Sequence, residues 1–391
     1  MSEAARLADV LAVLDELYDP RWAEEWDSVG LVVGDPDDEV RRVLFAVDPV
    51  MTVIEEAAAW EADLLVTHHP LLLRGVHSVA TTSSKGRAVT ALVRGRIALH
   101  VAHTNADVAA PGVSDALAAA LGLTDIRPLR PAAPVAELDK VVTFVPHADA
   151  DKVIDALAAA GAGQLGDYAR CAWTTQGVGT FLPLPGAQPA VGEVGTAERV
   201  AETRIEMVLR RDRRTDVLAA LKAAHPYEEP AYDVLELASV GSGRGLGRVG
   251  QLAEPERLDE FAARVARSLP ATAVPIRVAG NRDRLVRSVA VCGGAGDDLF
   301  GDVRASGADV FVTADLRHHP ASEALEQGPP ALVDCAHWAT EWPWLADAER
   351  RLLDGLTRRG VTVQTRVSTL VTDPWTGTAS HESTAEDRSQ R

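Results

Sequence analysis

One pattern of short apolar runs, present twice in the chain, most constrains the fold. Each copy has an apolar run, a helical segment and a second apolar run that ends in threonine. The interval from Val43 to Thr67 in the first copy equals that from Val289 to Thr313 in the second. Compact apolar runs that alternate with helices are typical of parallel sheets covered by helices. The sequence therefore predicts an α/β fold of two pseudo-repeated halves with mainly parallel sheets, although β-α-β units of similar composition could also match by chance.

A segment between the two copies predicts a separate module at about residues 138–240. Its expected elements are strands at 141–145, 204–210 and 232–237 and helices at 149–160 and 213–224. Two strand-helix-strand units of this kind are typical of a ferredoxin-like α+β domain. The segments 1–137 and 241–372 then form one discontinuous α/β domain. Residues 373–391 carry almost no apolar side chains, which predicts a disordered tail.

Composition and charge exclude several classes of protein. The 391 residues are 47% hydrophobic and carry a formal net charge of −18, so a general affinity for nucleic-acid phosphates is not expected. No apolar run is long enough for a membrane span, and acidic residues interrupt the apolar pattern near the start, which argues against a secretory leader. The three cysteines lie far apart, as expected in a reducing compartment. A cytoplasmic protein is the expectation.

Adjacent histidines follow the strand predicted at 64–67. At a strand end and before Pro70, the side chains of His68 and His69 can diverge toward two different ions. The carboxyl ends of parallel strands are also where open α/β sheets place their sites. A polar turn is the alternative interpretation of this pair.

Two further clusters combine imidazole and carboxylate groups. His103 and Asp107 follow the strand predicted at 97–102, where Asp107 is a candidate ligand and His103 is either a ligand or a residue that orients one. If a helix begins at His337, Glu341 lies one turn later on the same face and the pair can chelate a metal. Capping or turn roles for Asp107, and an ordinary helix-surface pair at His337, are the alternatives.

Together these clusters offer more ligands than one tetrahedral ion needs. The five candidate ligands are His68, His69, Asp107, His337 and Glu341. With one carboxylate bridging, five ligands fit two divalent ions that could activate water for hydrolysis. Glu341 and His103 are then the candidate catalytic residues. Zn²⁺, Mn²⁺ and Fe²⁺ all suit such ligands, so the sequence does not choose among them.

Three other motifs are weaker candidates. Asp315 and His319 follow the second copy of the pattern and are expected to orient ligands or contact the substrate, whereas His318 is expected to be structural. The glycine-rich run 293–296 follows a strand and either cradles an anion through its N–H groups or makes a tight turn. The loop 225–230 contains two prolines and is expected to serve as a rigid interface or lid.

An ordered set of motifs gives the chain a family resemblance. The motifs are Trp26-Asp27-Ser28-Val29-Gly30-Leu31, Thr67-His68-His69-Pro70, His103-Thr104-Asn105-Ala106-Asp107, Gly293-Gly294-Ala295-Gly296 and His337-x-x-x-Glu341. They resemble those of the dinuclear metal-centre hexameric proteins, often labelled GTP cyclohydrolase 1 type 2 homologs. The resemblance covers about residues 5–372. The insertion looks like the nitrogen-regulator-PII-like insert that longer members carry.

The resemblance implies a two-metal site inside a toroidal homohexamer, with a small, nucleotide-like molecule as ligand. In the implied assignment, His69 and Asp107 hold one ion. His68 and His337 hold the other ion, and Glu341 bridges the two.

Some positions depart from the family pattern without removing a ligand. Ala336 stands where the family usually has glycine, Ser28 where asparagine is common and His318 where an aromatic residue is usual. Metal binding is therefore still implied, with His103 as a close neighbour of the ions. Contacts to the substrate are where a difference from the family is expected.

Three functions remain open at this stage. The surplus of ligands and the resemblance favour a metal-dependent hydrolase that acts on a nucleotide or a similar phosphorylated compound. The acidic composition and the PII-like insert would also suit a metal carrier without turnover. A third possibility is a regulatory hub whose insert senses a small ligand and whose ring recruits partners.

Overall fold

Short apolar strands alternate with helices through most of the chain, as the repeated pattern predicts. The structure is a computed structural model and describes residues 5–132, 137–238 and 242–379. Within these residues the chain divides into two compact units, one drawn from 1–132 and 243–391 and the other from 133–242. The insertion predicted at 138–240 falls within the second unit. The greater part of the predicted tail, 380–391, lies outside the described residues.

The strands of the described residues are mostly short in the first unit and longer in the second. In chain order they are β1 Ala5–Arg6, β2 Gly30–Val33, β3 Glu39–Val40, β4 Arg42–Ala46, β5 Leu64–Thr67, β6 Ala98–Val101, β7 Thr124–Pro131, β8 Leu138–Pro146, β9 Trp173–Phe181, β10 Glu198–Arg210, β11 Tyr232–Glu236, β12 Gly245–Arg257, β13 Arg277–Ala279, β14 Leu285–Ala295, β15 Val310–Ala314, β16 Ala331–Cys335 and β17 Gln364–Val367.

Helices connect most of these strands. In chain order they are α1 Leu7–Leu17, α2 Met51–Ala59, α3 Ser84–Gly95, α4 Thr104–Val108, α5 Val113–Ala120, α6 Ala150–Ala159, α7 Arg214–Ala224, α8 Leu258–Ser268, α9 Phe300–Ser306, α10 His318–Glu326 and α11 His337–Arg358. None of these described helices combines the length with the apolar character that crossing a bilayer demands.

A five-stranded sheet in the first unit brings three strand ends to one edge. Its order is β17-β4-β5-β6-β2, and its first four strands are parallel. The register pairs Thr67, the last residue of β5, with Ala46 on one side and Val101 on the other. Residues that directly follow β4, β5 and β6 therefore lie close together, at the edge where open parallel sheets hold their ligands.

The second sheet of this unit is mixed. Its order is β13-β16-β15-β14-β12-β7, in which only β14, β15 and β16 are mutually parallel. The prediction of mainly parallel sheets is therefore wrong for this sheet. Apolar runs locate strands, but a parallel direction is enforced only where one helix crosses between neighbours, as between β14 and β15. The duplication of the two halves stays a prediction.

Alternate residues of the buried strands face different cores. Val43 and Phe45 of β4 pack in a core that also contains residues of β14–β16 and α11, whereas Leu44 packs in a second core with α2 and α3. In the first core the fully buried Trp344 donates from Nε1 to the Tyr18 hydroxyl at 3.1 Å. These contacts hold the start of α11 beside the end of the five-stranded sheet.

The second unit is an antiparallel sheet with two helices. Its strand order is β11-β8-β10-β9, and α6 and α7 share one apolar core with β8 and β10. Four of the five elements expected here match observed ones closely, and β10 begins earlier than expected, at Glu198. Strand β9 was not predicted, because threonine and glycine fill most of its positions and most of its side chains are exposed. The likeness to a PII-like domain stays a prediction.

A buried guanidinium links three segments of the first unit. Arg248 on β12 is 1% exposed. Its Nε donates to Asp115 at 2.8 Å, its Nη1 donates to the carbonyl groups of Gly245 and Gly247, and its Nη2 donates to that of Ala109. A buried charge is tolerated only when it is paired and hydrogen-bonded, as this guanidinium is. If the guanidinium is removed, the Asp115 carboxylate and the three carbonyl groups lose their hydrogen-bond donor.

Replacement of Arg248 by methionine should destabilise the first unit by roughly 3 kcal/mol, since Asp115 and three carbonyl groups lose their donor. The measurement is the midpoint of urea unfolding. The matched control is Arg287→Met, which removes an exposed guanidinium from β14. Equal midpoints for the two variants would contradict the structural role of Arg248.

Candidate metal centre

The ends of three buried strands deliver the candidate ligands to one place. The residues are His68 and His69 directly after β5, His103 and Asp107 after β6, and His337 and Glu341 in the first turns of α11 after β16. Two groups among them lie close enough to hold a metal ion, one formed by His68, His69 and His103 and the other by His69, His337 and Glu341. The structure therefore brings together side chains from distant parts of the sequence.

Glu341 lies at the centre of this cluster. Its side chain is 3% exposed, and its Oε1 is 2.8 Å from His337 Nε2 and 3.4 Å from His68 Nε2. Its other oxygen, Oε2, is 3.1 Å from His69 Nε2. The buried carboxylate of Glu341 thus faces the Nε2 atom of each of three imidazoles.

Hydrogen bonds on the far side of each ring fix which nitrogen points inward. The Nδ1 atoms of the three rings lie against oxygen acceptors, namely Ala102 O at 2.9 Å for His68, Asp48 Oδ1 at 2.7 Å for His69 and Asp315 Oδ2 at 2.7 Å for His337. A carbonyl or ionised carboxylate oxygen only accepts, so each Nδ1 carries the proton. In the neutral ring the lone pair is then on Nε2, as in metal sites whose histidines are oriented from behind.

These inward-facing atoms fit a cation. The Nε2 atoms of His69 and His337 lie 3.2 Å apart. Two lone pairs at that distance repel each other unless a positive charge lies beside them. Glu341 Oε2 is buried, and the Nε2 atom of His69 at 3.1 Å offers it no proton in the neutral ring, so the oxygen lacks a donor unless a cation lies beside it. Imidazole nitrogen and carboxylate oxygen are together the donor set of Zn²⁺, Mn²⁺ and Fe²⁺.

The electrostatics of the cluster also favour positive charge beside Glu341. Burial lowers the pKa of His69, but the Glu341 carboxylate and Asp48 outweigh it and raise that pKa to about 11. Burial likewise opposes the effect of Glu341 and Asp315 on His337, whose pKa is raised to about 10. The pKa of Glu341 lies well below its ordinary value, because the imidazoles outweigh burial. A divalent ion would supply the same positive charge.

The candidate ligands form one continuous cluster. His69 Nε2 lies 3.2 Å from His337 Nε2, and His68 Nε2 lies 3.7 Å from Asp107 Oδ1. Glu341 contacts the imidazoles of His68, His69 and His337. The division that the resemblance implies, with His69 and Asp107 at one ion and His68 and His337 at the other, stays a prediction.

His103 lies at the rim of the cluster. Its ring is 5.2 Å from that of His68 and 5.6 Å from that of His69. Its Nδ1 donates to Asp27 Oδ1 at 2.9 Å, and Asp27 also accepts from the backbone N–H of Thr104 at 3.0 Å. In the neutral ring the proton is therefore on Nδ1 and the lone pair on Nε2, and the ring lies beside the candidate ligands. The catalytic role expected for His103 stays a prediction.

The glycine-rich run makes room for ligands. Gly294 has φ +68°, and a Cβ built there would lie 2.6 Å from Glu341 Oε1 and 3.1 Å from His337 Nε2. Its N–H donates to Thr340 Oγ1 at 2.9 Å, and the N–H of Gly293 donates to Ser114 Oγ at 3.3 Å. The first two N–H groups are therefore already bonded, which argues against the anion cradle and for the tight-turn alternative.

The weaker candidates have separate outcomes. Asp315 accepts a hydrogen bond from His337 Nδ1 and so orients that ring, which is one of the two roles expected for it. His319 is exposed, and its ring packs on that of His318 at 5.1 Å, so it does not join the cluster. In the second unit, His225 is buried and lies 3.0 Å from Phe144 O through its Nε2, which is a structural contact.

Sequence reasoning missed Asp48 as a residue that positions a ligand. It stands two residues after β4 and before a proline, where a turn role is the simplest interpretation. Its position was a usable signal, because β4 is the parallel neighbour of β5, which His68 directly follows. The role of Asp27 was also missed, although it lies in the Trp-Asp-Ser-Val-Gly motif that the sequence singled out.

Comparisons with known proteins give a consistent result. A model of the family described as Duf34/NIF3 (NGG1p interacting factor 3) matches residues 5–374. A protein of Mycobacterium tuberculosis named GTP cyclohydrolase 1 type 2 homolog is 51% identical over 372 residues, which is 95% of this chain and 97% of that one. A protein of the same name from Streptomyces coelicolor is 42% identical, over 95% of this chain and 94% of its own.

Solved structures show the same similarity. A Bacillus cereus protein related to NIF3 is 36% identical, with a TM-score of 0.69 over 96% of this chain and 99% of that chain. The Staphylococcus aureus protein SA1388 is 28% identical, with a TM-score of 0.73 over the same shares of the two chains. The whole architecture described here, including the second unit, thus has solved counterparts.

Removal of His337 should lower the metal content of the purified protein. We expect about two divalent ions per chain in the wild type and about one in His337→Ala, because one ion loses an imidazole ligand. Elemental analysis after reconstitution with Zn²⁺, Mn²⁺ or Fe²⁺ measures this. The control is His77→Ala, at an exposed histidine outside the cluster. A wild type without metal, or an unchanged content in His337→Ala, would refute the site.

A methyl group at position 294 should displace Glu341. For Gly294→Ala we expect metal affinity to fall about tenfold or more, as when the support of a metal ligand is disturbed. Competition with a chelating dye measures the affinity. The control is Gly301→Ala, where an added Cβ meets no atom within 4 Å. Equal affinities in the two variants would show that Glu341 does not contribute to binding.

Proposed function

This chain belongs to the Duf34/NIF3 family, and on that premise we propose that it binds two divalent metal ions and uses them to hydrolyse a nucleotide-like compound. The observation that carries the proposal is the convergence of three imidazole Nε2 atoms on the Glu341 carboxylate, with the Asp107 carboxylate 3.7 Å from one of them, His68 Nε2. A structural site for one ion is closed by four ligands. Five ligands with a shared carboxylate suit the two-ion clamps of hydrolytic enzymes.

The side chains that surround the ligands have distinct tasks in this proposal. Asp48 and Asp315 hold the Nδ1 protons of His69 and His337, so that the Nε2 lone pairs stay directed inward. Two divalent ions held there would supply Lewis acidity and lower the pKa of water. His103, whose Nδ1 proton is held by Asp27, is placed to accept a proton at Nε2 during the reaction.

The substrate class is proposed from the relatives. Their name, GTP cyclohydrolase 1 type 2 homolog, makes GTP and its nucleoside guanosine the first compounds to test. The homohexameric ring that the resemblance implies belongs to the same proposal, and its test is the mass of the metal-loaded protein in solution.

A metal carrier without turnover is the second candidate. It is favoured by the partial exposure of two ligands, since 23% of the His69 side chain and 32% of the His337 side chain remain accessible. Accessible ligands let a competing chelator reach a bound ion. Full metal loading together with rapid exchange and no turnover would support the carrier.

Replacement of Glu341 by glutamine should abolish hydrolysis. We expect the rate with GTP or guanosine to fall at least about 100-fold, because the neutral amide cannot replace a buried anionic ligand. Chromatography of the products after incubation with metal-loaded protein measures the rate. The control is Glu55→Gln, at an exposed glutamate of α2. An active wild type matched by an equally active Glu341→Gln would exclude this mechanism.

A further inference from the structure

A cavity opens beside the two accessible ligands. Its volume is about 710 Å³, large enough for a nucleoside, and His69 and His337 line it together with Asp48 and Asp315. All residues that line it belong to the first compact unit. A molecule bound in this cavity would therefore lie next to His69 and His337, two of the candidate metal ligands.

Apolar side chains form one part of the wall. They include Val274 and Pro275 from the segment before β13, Trp338 at the start of α11, and Pro374 and Trp375 near the end of the described chain. Trp338 is buried, whereas Trp375 leaves 66% of its surface exposed. An exposed indole at the wall of a cavity offers a flat apolar face to a planar ring that enters it.

The segment that carries Trp375 is tied to a metal ligand. Thr372 donates through its hydroxyl to Asp48 Oδ2, while Asp48 Oδ1 accepts from His69 Nδ1 at 2.7 Å. The N–H of Trp375 donates to Asp373 Oδ1 at 2.9 Å, and Asp373 is buried. The Asp48 carboxylate thus bonds both to His69 and to the segment that carries Trp375, which keeps the backbone of that segment beside the candidate metal centre.

The charges of the cavity do not suit a polyanion. Among the described residues that line it, four are aspartates and one is an arginine, namely Asp48, Asp315, Asp334, Asp373 and Arg277. The guanidinium of Arg277 is already paired with Asp334, at 2.7 Å from Nε to Oδ2. The carboxylates behind His69 and His337 would offset the charge of ions bound there, and a chain of phosphates would find no unpaired guanidinium among the described lining residues.

We propose that Trp375 determines substrate specificity by stacking on the planar heteroaromatic ring of the substrate, and that this cavity binds an uncharged nucleoside at least as tightly as its triphosphate. The identity of the substrate site rests on the proposed function. The stacking itself requires only that the ring enters the cavity beside His69 and His337.

The test is calorimetric binding of guanosine and of GTP to the metal-loaded protein. We expect the dissociation constant for guanosine to rise about tenfold in Trp375→Ala and to recover largely in Trp375→Phe, since an aromatic ring restores stacking. Metal content should be the same in all variants. The matched control is Trp173→Ala, a tryptophan of the second unit that is also largely exposed, at 58%, and that should leave binding unchanged.

The outcomes separate this proposal from the proposed function. Stacking-dependent binding without turnover would leave the role of Trp375 intact and remove the hydrolase. Equal guanosine affinities in Trp375→Ala and the wild type, or no guanosine binding by the metal-loaded wild type, would overturn the stacking role. GTP binding more than tenfold tighter than guanosine would overturn the charge argument.

Discussion

The position of one buried carboxylate governs the architecture of the centre. Glu341 is removed from water and surrounded by imidazole nitrogens, and a carboxylate in that position is stable only when positive charge compensates it. Glu341 reaches those nitrogens only because the start of α11 lies against the ends of the parallel strands. Gly294 must lack a side chain, because a Cβ there would occupy the space of the carboxylate. The backbone at Gly294, the start of α11 and the position of the Glu341 carboxylate thus depend on one another.

The shared core explains how such distant residues meet. Residues of β4 and β5 pack in the same core as residues of β14, β15 and α11. Since protein cores are close-packed, a shift of one sheet against the other would cost many contacts. The ends of β5 and β6 and the start of α11 are held in place by this packing rather than by the ligands themselves. Preorganisation of that kind lets a metal bind without refolding the site.

The sequence predicted the strand ends because apolar runs and the polar residues after them are both visible in it. It predicted His68, Asp107 and Glu341 as neighbours for that reason. It could not show which way the side chains of His68 and His69 face, since the directions of adjacent side chains depend on how the chain turns after β5. It also missed Asp48, because an aspartate before a proline has many explanations until the neighbouring strand is known. Strand β9 was missed because its polar composition hides its pairing with β10.

Charge links the centre to its substrate. The two divalent ions of the proposed function would bring four positive charges, and the four carboxylates of Asp48, Asp107, Asp315 and Glu341 lie within or directly behind the set of candidate ligands. A centre balanced in this way exerts little net attraction on an anion at a distance, in a chain whose own net charge is −18. Affinity must then come from shape and from contact with the ring. The exposed indole of Trp375 is the surface that supplies such contact, at a position set by the same Asp48 that orients His69.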